Sequence, residues 1–528
     1  MSALSARTAA PHTTSPAVRA QSVSRVSFAL TATLVGTLAF VSCFFRLFIF
    51  PHTPLLPAGD AVGFFVAGSR IVAGELPYRD FFEILPVASD LAYASLIKLF
   101  GFYAWIPGMT MACLAAGIVL LTTLAARRFV SGIALALPGL LFTGIALSSE
   151  TLNATHHWFC TLAVMAAMFA LLDGTSSVRV AAAGALAGLA ASFTQTSGAT
   201  VVAALAIYVF WKARDESPNR HWHKPLLLIG SAFAMFVAVN GYFIWRAGLR
   251  AWLYSMFVFP VRYFGVPDFN NWRVITLDFR IHPSVERWLF FPFIYGLAVL
   301  VVIVLATIVR RLREHDSTEQ WDDLLLVALT GAGMLLAVAP APSLLRLSSA
   351  SPPGLILLAW LLQRAGKPPR VPRFALAAAA SAIAILVPLQ HQFRWHIALR
   401  LPGGNIAFFD RAQYDEYRWL AGETTSGEYL FGAPAMHVAL HTVNPAAVAL
   451  FDTSDYTRPE QVTAGVQALA HAHVPFIILK HSFDEPALSA TDHTQPLRDF
   501  LRTNYSIVKT FATGDAVWQA TDQSKSQP

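Results

Sequence analysis

Four carboxylates, Asp60, Glu75, Asp80 and Glu83, fall within 24 positions of a chain that has only 31 acidic residues. Arg79 stands among them, and Arg262 and Arg346 lie beside later apolar runs. A carboxylate within hydrogen-bond reach of a hydroxyl can take its proton as a general base. The planar fork of an arginine can hold two oxygens of an anionic group. Such residues suit a reaction in which a hydroxyl is activated and a phosphate departs. Each also has a plainer reading. Asp60 stands at the start of an expected helix, where its carboxylate would serve as a cap. Arg346 reads equally as a side chain that snorkels to an interface. Aromatic residues interleaved with the arginines of 247–287, among them Trp252, Tyr254, Tyr263, Trp272 and Trp288, read as an interfacial belt or as a lid that stacks on a sugar.

The setting for these residues follows from composition. Of 528 residues, 55% are hydrophobic and 13% charged, where a soluble protein carries about 25% charged residues. So apolar a chain cannot cover a water-facing surface, which excludes a soluble multidomain enzyme. The 39 Phe and 13 Trp exclude a disordered or fibrous one. The net charge of +7 comes from short basic clusters between apolar runs, the pattern of a membrane protein and not of nucleic-acid binding. Cys43, Cys113 and Cys160 all lie in apolar stretches, so neither a disulfide framework nor a metal motif is present.

A bilayer core needs about 20 apolar residues per helix. Eleven runs qualify: 26–49, 103–126, 130–148, 156–172, 179–194, 197–212, 225–246, 288–309, 323–340, 350–363 and 373–390. The fold class expected is a membrane all-α bundle of about eleven transmembrane helices with a small C-terminal exoplasmic α/β domain. With a cytoplasmic N-terminus, every inner loop is basic: Arg127 and Arg128, Arg179, Lys212 and Arg214, Arg310 to Arg313, then Arg364 to Arg373. Residues 1–25, polar and rich in Ser, Thr and Ala, read as a disordered cytoplasmic tail, and the first apolar run as an uncleaved anchor. The transmembrane domain spans 26–390 and includes a large first outer loop, 50–102, whose pieces 60–74 and 86–100 read as amphipathic helices on the membrane surface. Residues 391–528 form the exoplasmic part. There Tyr429 to Phe431, Ala446 to Phe451 and Phe476 to Leu479 read as strands, and 459–472 and 494–504 as helices, with Pro459 in a first turn. No GxGxxG and no P-loop occurs, so nucleotide binding is not indicated.

His156 and His157, with Glu150 and Asn153, stand at the outer mouth of the fourth run. Adjacent histidines point different ways on a helix, which favours hydrogen bonding or, for His157, substrate contact over metal ligation. His282, Glu286 and His391 stand too isolated in the sequence to carry an argument.

Gly59-Asp60 after the first apolar run, then Gly74-Glu75-Leu76-Pro77-Tyr78-Arg79-Asp80-Phe81 and Pro86, resembles the bacterial branch of the GT-C membrane glycosyltransferases. That branch is family 39-like and related to protein O-mannosyltransferases and aminoarabinose transferases. Pro340-Ala341-Pro342-Ser343-Leu344-Leu345-Arg346 before a helix, and the exoplasmic tail, are similar to it as well. The resemblance implies a polyprenyl-phosphate-linked sugar as donor, an exoplasmic protein, lipid or glycan as acceptor, and Asp60 at the reaction centre. Where many relatives carry two adjacent acids, this chain has Asp60 and Ala61. Asp60 is then the expected base. Arg346, with Arg79 or Arg262, is the expected phosphate clamp, and Asp80, Glu83 and His157 are further substrate contacts. A single displacement would invert the anomeric centre. No cofactor is assigned, and a divalent metal is left open. A transporter or flippase of lipid-linked sugars is the alternative; it would keep ionisable groups inside the spans and show internal repeats. A membrane scaffold would leave Asp60 dispensable, and a polysaccharide ligase or polymerase is an enzymatic neighbour.

Overall fold

The computed structural model describes residues 25–148, 152–214, 221–282, 284–314, 321–364, 370–485 and 491–521. The N-terminal tail expected over 1–25 thus lies, apart from Arg25, outside the described residues, as does Glu150.

Each of the eleven apolar runs is helical. Seven helices among the described residues are long and apolar enough to cross a membrane: Val26–Leu47, Trp105–Ala126, Gln195–Ala213, His223–Ala247, Glu286–Arg313, Trp321–Val338 and Pro372–Phe393. The other four runs give the shorter helices Ile133–Gly144, His156–Leu172, Ser177–Phe193 and Pro352–Arg364. At 1.5 Å per residue, helices of 12 to 17 residues fall short of a hydrocarbon core of about 30 Å. Length and composition therefore mark an integral membrane protein with seven clear candidate spans.

Small residues let these helices approach closely. Gly184 and Gly188, one turn apart on Ser177–Phe193, lie against the carbonyl oxygens of Leu228 and Ala232 on His223–Ala247, where a Cβ would collide with backbone. Contact of this kind replaces the hydrophobic drive that helices lack in lipid.

The loop 50–102 carries two helices, Asp60–Val72 and Ala88–Phe100, which pack on each other. Asp60 in the first turn complements the helix dipole, and Gly74 (φ 95°) and Gly101 (φ 88°) break the chain beyond the two C-termini. Both match the amphipathic pieces read from the sequence.

After the last long helix the chain changes character. Ile397–Leu401 and Gly404–Phe408 form an antiparallel hairpin, with Ile397 opposite Phe408. A four-stranded sheet follows in the order Leu430–Phe431, Phe476–Lys480, Asp515–Ala520, Tyr505–Thr510, its first pair parallel and the rest antiparallel. Helices Pro459–His471 and Gln495–Asn504 lie where helices were expected, with Pro459 in the first turn. The expected strand Ala446 to Phe451 is corrected: that segment is not a strand. The Asn444 side chain folds it back on itself, accepting from the Ala446 amide at 2.9 Å and donating to the Val448 carbonyl at 3.0 Å, so a local side-chain turn displaces the ladder. The C-terminal part docks on the loop 50–102 through the backbone bonds Phe82 N–H to Ala447 O at 2.8 Å and Leu56 N–H to Ala407 O at 3.1 Å, and just beyond it through Ala104 N–H to Gly403 O at 3.0 Å.

Candidate active site

The site begins at Gly59. Its φ of 71° lies where side chains are strained, and a Cβ there would stand 2.8 Å from the Asn153 side-chain nitrogen. Glycine thus lets the start of Asp60–Val72 press against the segment before His156–Leu172. One turn on, Phe64 meets the His156 ring edge-on at 5.4 Å. The two histidine rings lie 3.9 Å apart between centroids.

Asp60 is exposed to solvent, although the surrounding protein crowds its carboxyl and desolvates it. Burial raises its carboxyl above the ordinary range, and the Arg346 guanidinium pulls it back. Arg346 rides on Leu344–Ser349, whose first turn is capped by Ser343. Its Nη1 donates to Ala341 O at 3.1 Å and its Nη2 to Asn270 Oδ1 at 2.8 Å, with the Phe264 ring centroid 5.8 Å from the guanidinium carbon. Burial lowers its pKa, and the nearby charges of Asp60 and Asp278 oppose that. Arg346 is also within electrostatic reach of His156 and His157.

Glu83 closes the site from the far end of the outer loop. Its Oε1 accepts from the amides of Ile84 at 2.8 Å and Leu85 at 3.0 Å. Burial nevertheless pushes its pKa up to about 7, and the charge of Asp60 adds to the rise. Behind it, Asp90 is 1% exposed with neither carboxylate oxygen hydrogen-bonded, and burial followed by Glu83 raises its pKa well above the carboxylate range. The Tyr456 hydroxyl, supplied by the C-terminal part, lies within electrostatic reach of both Glu83 and Asp60.

The fold therefore brings together Asp60, Glu83, His157 and Arg346 from positions far apart in the chain. It does not bring in the rest. Arg79 is exposed and donates through Nε and Nη2 to both oxygens of Asp80, each at 2.8 Å. Asp80 in turn accepts from the Leu76 amide at 2.7 Å, closing a loop turn. Arg262 is exposed, and among the described residues no hydrogen bond or ion pair ties it to the group. Asn270, Asp278, Asp90 and Tyr456 were not singled out from the sequence, because nothing local marks them; they reach the site only through tertiary packing. Among the described residues no group of three or more His, Cys, Asp or Glu side chains could hold a metal ion.

A carboxylate near an arginine that is itself held by fixed acceptors can take a proton from a hydroxyl while the cation steadies an anion. No protein-family model matches the chain, and no curated protein matches it. Among solved structures it is similar to ArnT from Cupriavidus metallidurans bound to undecaprenyl phosphate, with a TM-score of 0.55 and 11% identity over 96% of this chain and 100% of that one. The archaeal oligosaccharyltransferase AglB from Archaeoglobus fulgidus, in complex with an inhibitory peptide and a dolichol-phosphate, gives a TM-score of 0.49 and 12% identity over 95% of this chain and 75% of that one. The likeness to ArnT over nearly the whole of both chains shows that this chain shares its fold.

Proposed function

We propose that the chain is an integral-membrane glycosyltransferase that moves a sugar from a polyprenyl phosphate to an acceptor hydroxyl on the exoplasmic face of a bacterial inner membrane. The observation that carries this reading is that the charges of Asp60 and Arg346 lie within electrostatic reach of each other. The undecaprenyl phosphate bound by ArnT supports the choice of donor. Asp60 takes the proton of the acceptor hydroxyl, and the oxygen attacks the anomeric carbon. The bond from that carbon to the phosphate oxygen breaks, and the electron pair leaves with the polyprenyl phosphate. Arg346 stabilises the charge that develops on the departing phosphate. One displacement inverts the anomeric configuration. Glu83, His157 and Tyr456 line the same space and orient donor or acceptor. The basic loops support a cytoplasmic N-terminus and a C-terminal part outside the cytoplasm.

Membranes containing the chain, given labelled polyprenyl-phosphate hexoses and pentoses, are expected to transfer label to a lipid, glycan or protein fraction. Failure across the donor series, with the chain present and folded, would contradict the proposal.

A further inference from the structure

His282 and Glu286 carry no argument as sequence, yet the fold builds them into a buried relay directly behind the arginine. Asp278, on Val274–Ile281, accepts at Oδ2 from the Leu344 amide at 2.8 Å, the first residue of the short helix that bears Arg346. Its other oxygen, Oδ1, faces His282 Nε2 at 3.8 Å, and His282 Nδ1 meets Glu286 Oε2 at 2.8 Å. The three side chains are only 13%, 10% and 7% exposed. The Phe291 ring stands edge-on to His282 at 5.3 Å, and the Tyr295 hydroxyl donates to Pro342 O at 2.8 Å, so the segment leading into Leu344–Ser349 is tied down from two sides. His282 thus hydrogen-bonds Glu286 and stands within ion-pair distance of Asp278.

Two contacts from one outer segment thus converge on the arginine: Asn270 holds the guanidinium itself, and Asp278 holds the helix that carries it. We infer that Asp278, braced by His282 and Glu286, is a positioning residue that sets the aim of the Arg346 guanidinium. The segment 268–286 then acts as a brace for the anion clamp. The charges facing Asp278 are those of His282, Arg346 and Glu286, with the Tyr295 hydroxyl nearby. This role rests on the reading of Arg346 as the donor-phosphate clamp.

The experiment separates the brace from the reaction. In the purified full chain, hydrogen–deuterium exchange across 343–350 is measured for wild type, Asp278→Ala, Asp278→Asn and His282→Ala, with Trp105–Ala126 as the folding control. Asp278→Ala should speed exchange at the start of Leu344–Ser349 by about tenfold, the size of a lost buried hydrogen bond to a charged group. Asp278→Asn, which keeps an acceptor oxygen, should stay within about threefold, and His282→Ala should fall between them. In Asp278→Ala kcat should fall about tenfold while donor KM changes less than about threefold, because the clamp acts on charge that develops as the phosphate leaves. Unchanged exchange in Asp278→Ala would overturn the brace. Faster exchange with an unchanged kcat would keep the brace but overturn its role in aiming the guanidinium, and would count against Arg346 as the clamp.

Discussion

Arg346 Nη2 donates to Asn270 Oδ1 over 2.8 Å while its Nη1 holds the Ala341 carbonyl at 3.1 Å. The guanidinium is thereby fixed in plane by two acceptors, with Asp60 and Asp278 supplying the opposing charge. This geometry needs a fork.

Arg346→Lys keeps the charge but offers a single ammonium to two acceptors set apart in space. We expect transfer by Arg346→Lys to drop nearly as far as by Arg346→Ala, roughly a hundred- to a thousandfold. Initial rates in membranes at matched protein levels check this. A lysine variant with near-wild-type rates would show that charge alone suffices.

Arg79 provides the matching control. It is exposed and already bonded through two nitrogens to Asp80. Surface pairs of this kind contribute little, so Arg79→Ala should leave transfer within about twofold and protein levels unchanged. A large loss of transfer would return Arg79 to the donor site.

Much of the architecture could be read from residue order, because lipid enforces a simple rule: apolar runs become helices whose backbone bonds are internal. The outer-loop helices were legible for a related reason, since Asp60 and Gly74 are local start and stop signals. Asp60 and Glu83 were legible as carboxylates concentrated in an acid-poor chain. The hairpin over 397–408 was missed although Ile397, Leu399 and Leu401 alternate up to Pro402-Gly403-Gly404, a turn signal that could have found it. Asn270, Asp278 and His282 left no such mark. A single polar residue on an outer segment looks alike whether it faces water or an arginine, and only packing decides. The Ala446 to Phe451 strand failed because Asn444 offered the backbone a competing set of hydrogen bonds.

Gly59→Ala tests the joint that seats the base. At φ 71° and ψ −169° the backbone lies in a region that is essentially glycine's alone, and the added methyl would meet Asn153. The expected cost is about 1–3 kcal/mol, read as a lower unfolding temperature in detergent, with transfer reduced as Asp60 shifts. An unchanged unfolding temperature would show that the loop relaxes freely.

Glu83 makes stability depend on pH. Its ordinary pKa is 4.5, and burial raises it to about 7 in the folded chain. Below the ordinary value both states hold the proton. Between the two values only the folded state does, so stability falls as pH rises through that window and levels off above it. Glu83→Gln removes this contribution and should flatten the decline across pH 4.5–7, measured as unfolding temperature against pH. An equally steep decline in the variant would assign it to other buried acids, Asp90 first.

The most direct measurement compares sugar transfer by wild type and Asp60→Asn in the same membranes, with labelled polyprenyl-phosphate sugars as donors. Asparagine keeps the size of the side chain, which makes no capping hydrogen bond at this helix start, but cannot accept the acceptor's proton. The account predicts a loss of at least about a hundredfold at normal protein level and unchanged unfolding temperature. Transfer by Asp60→Asn at the wild-type rate would contradict it and move the base to another group.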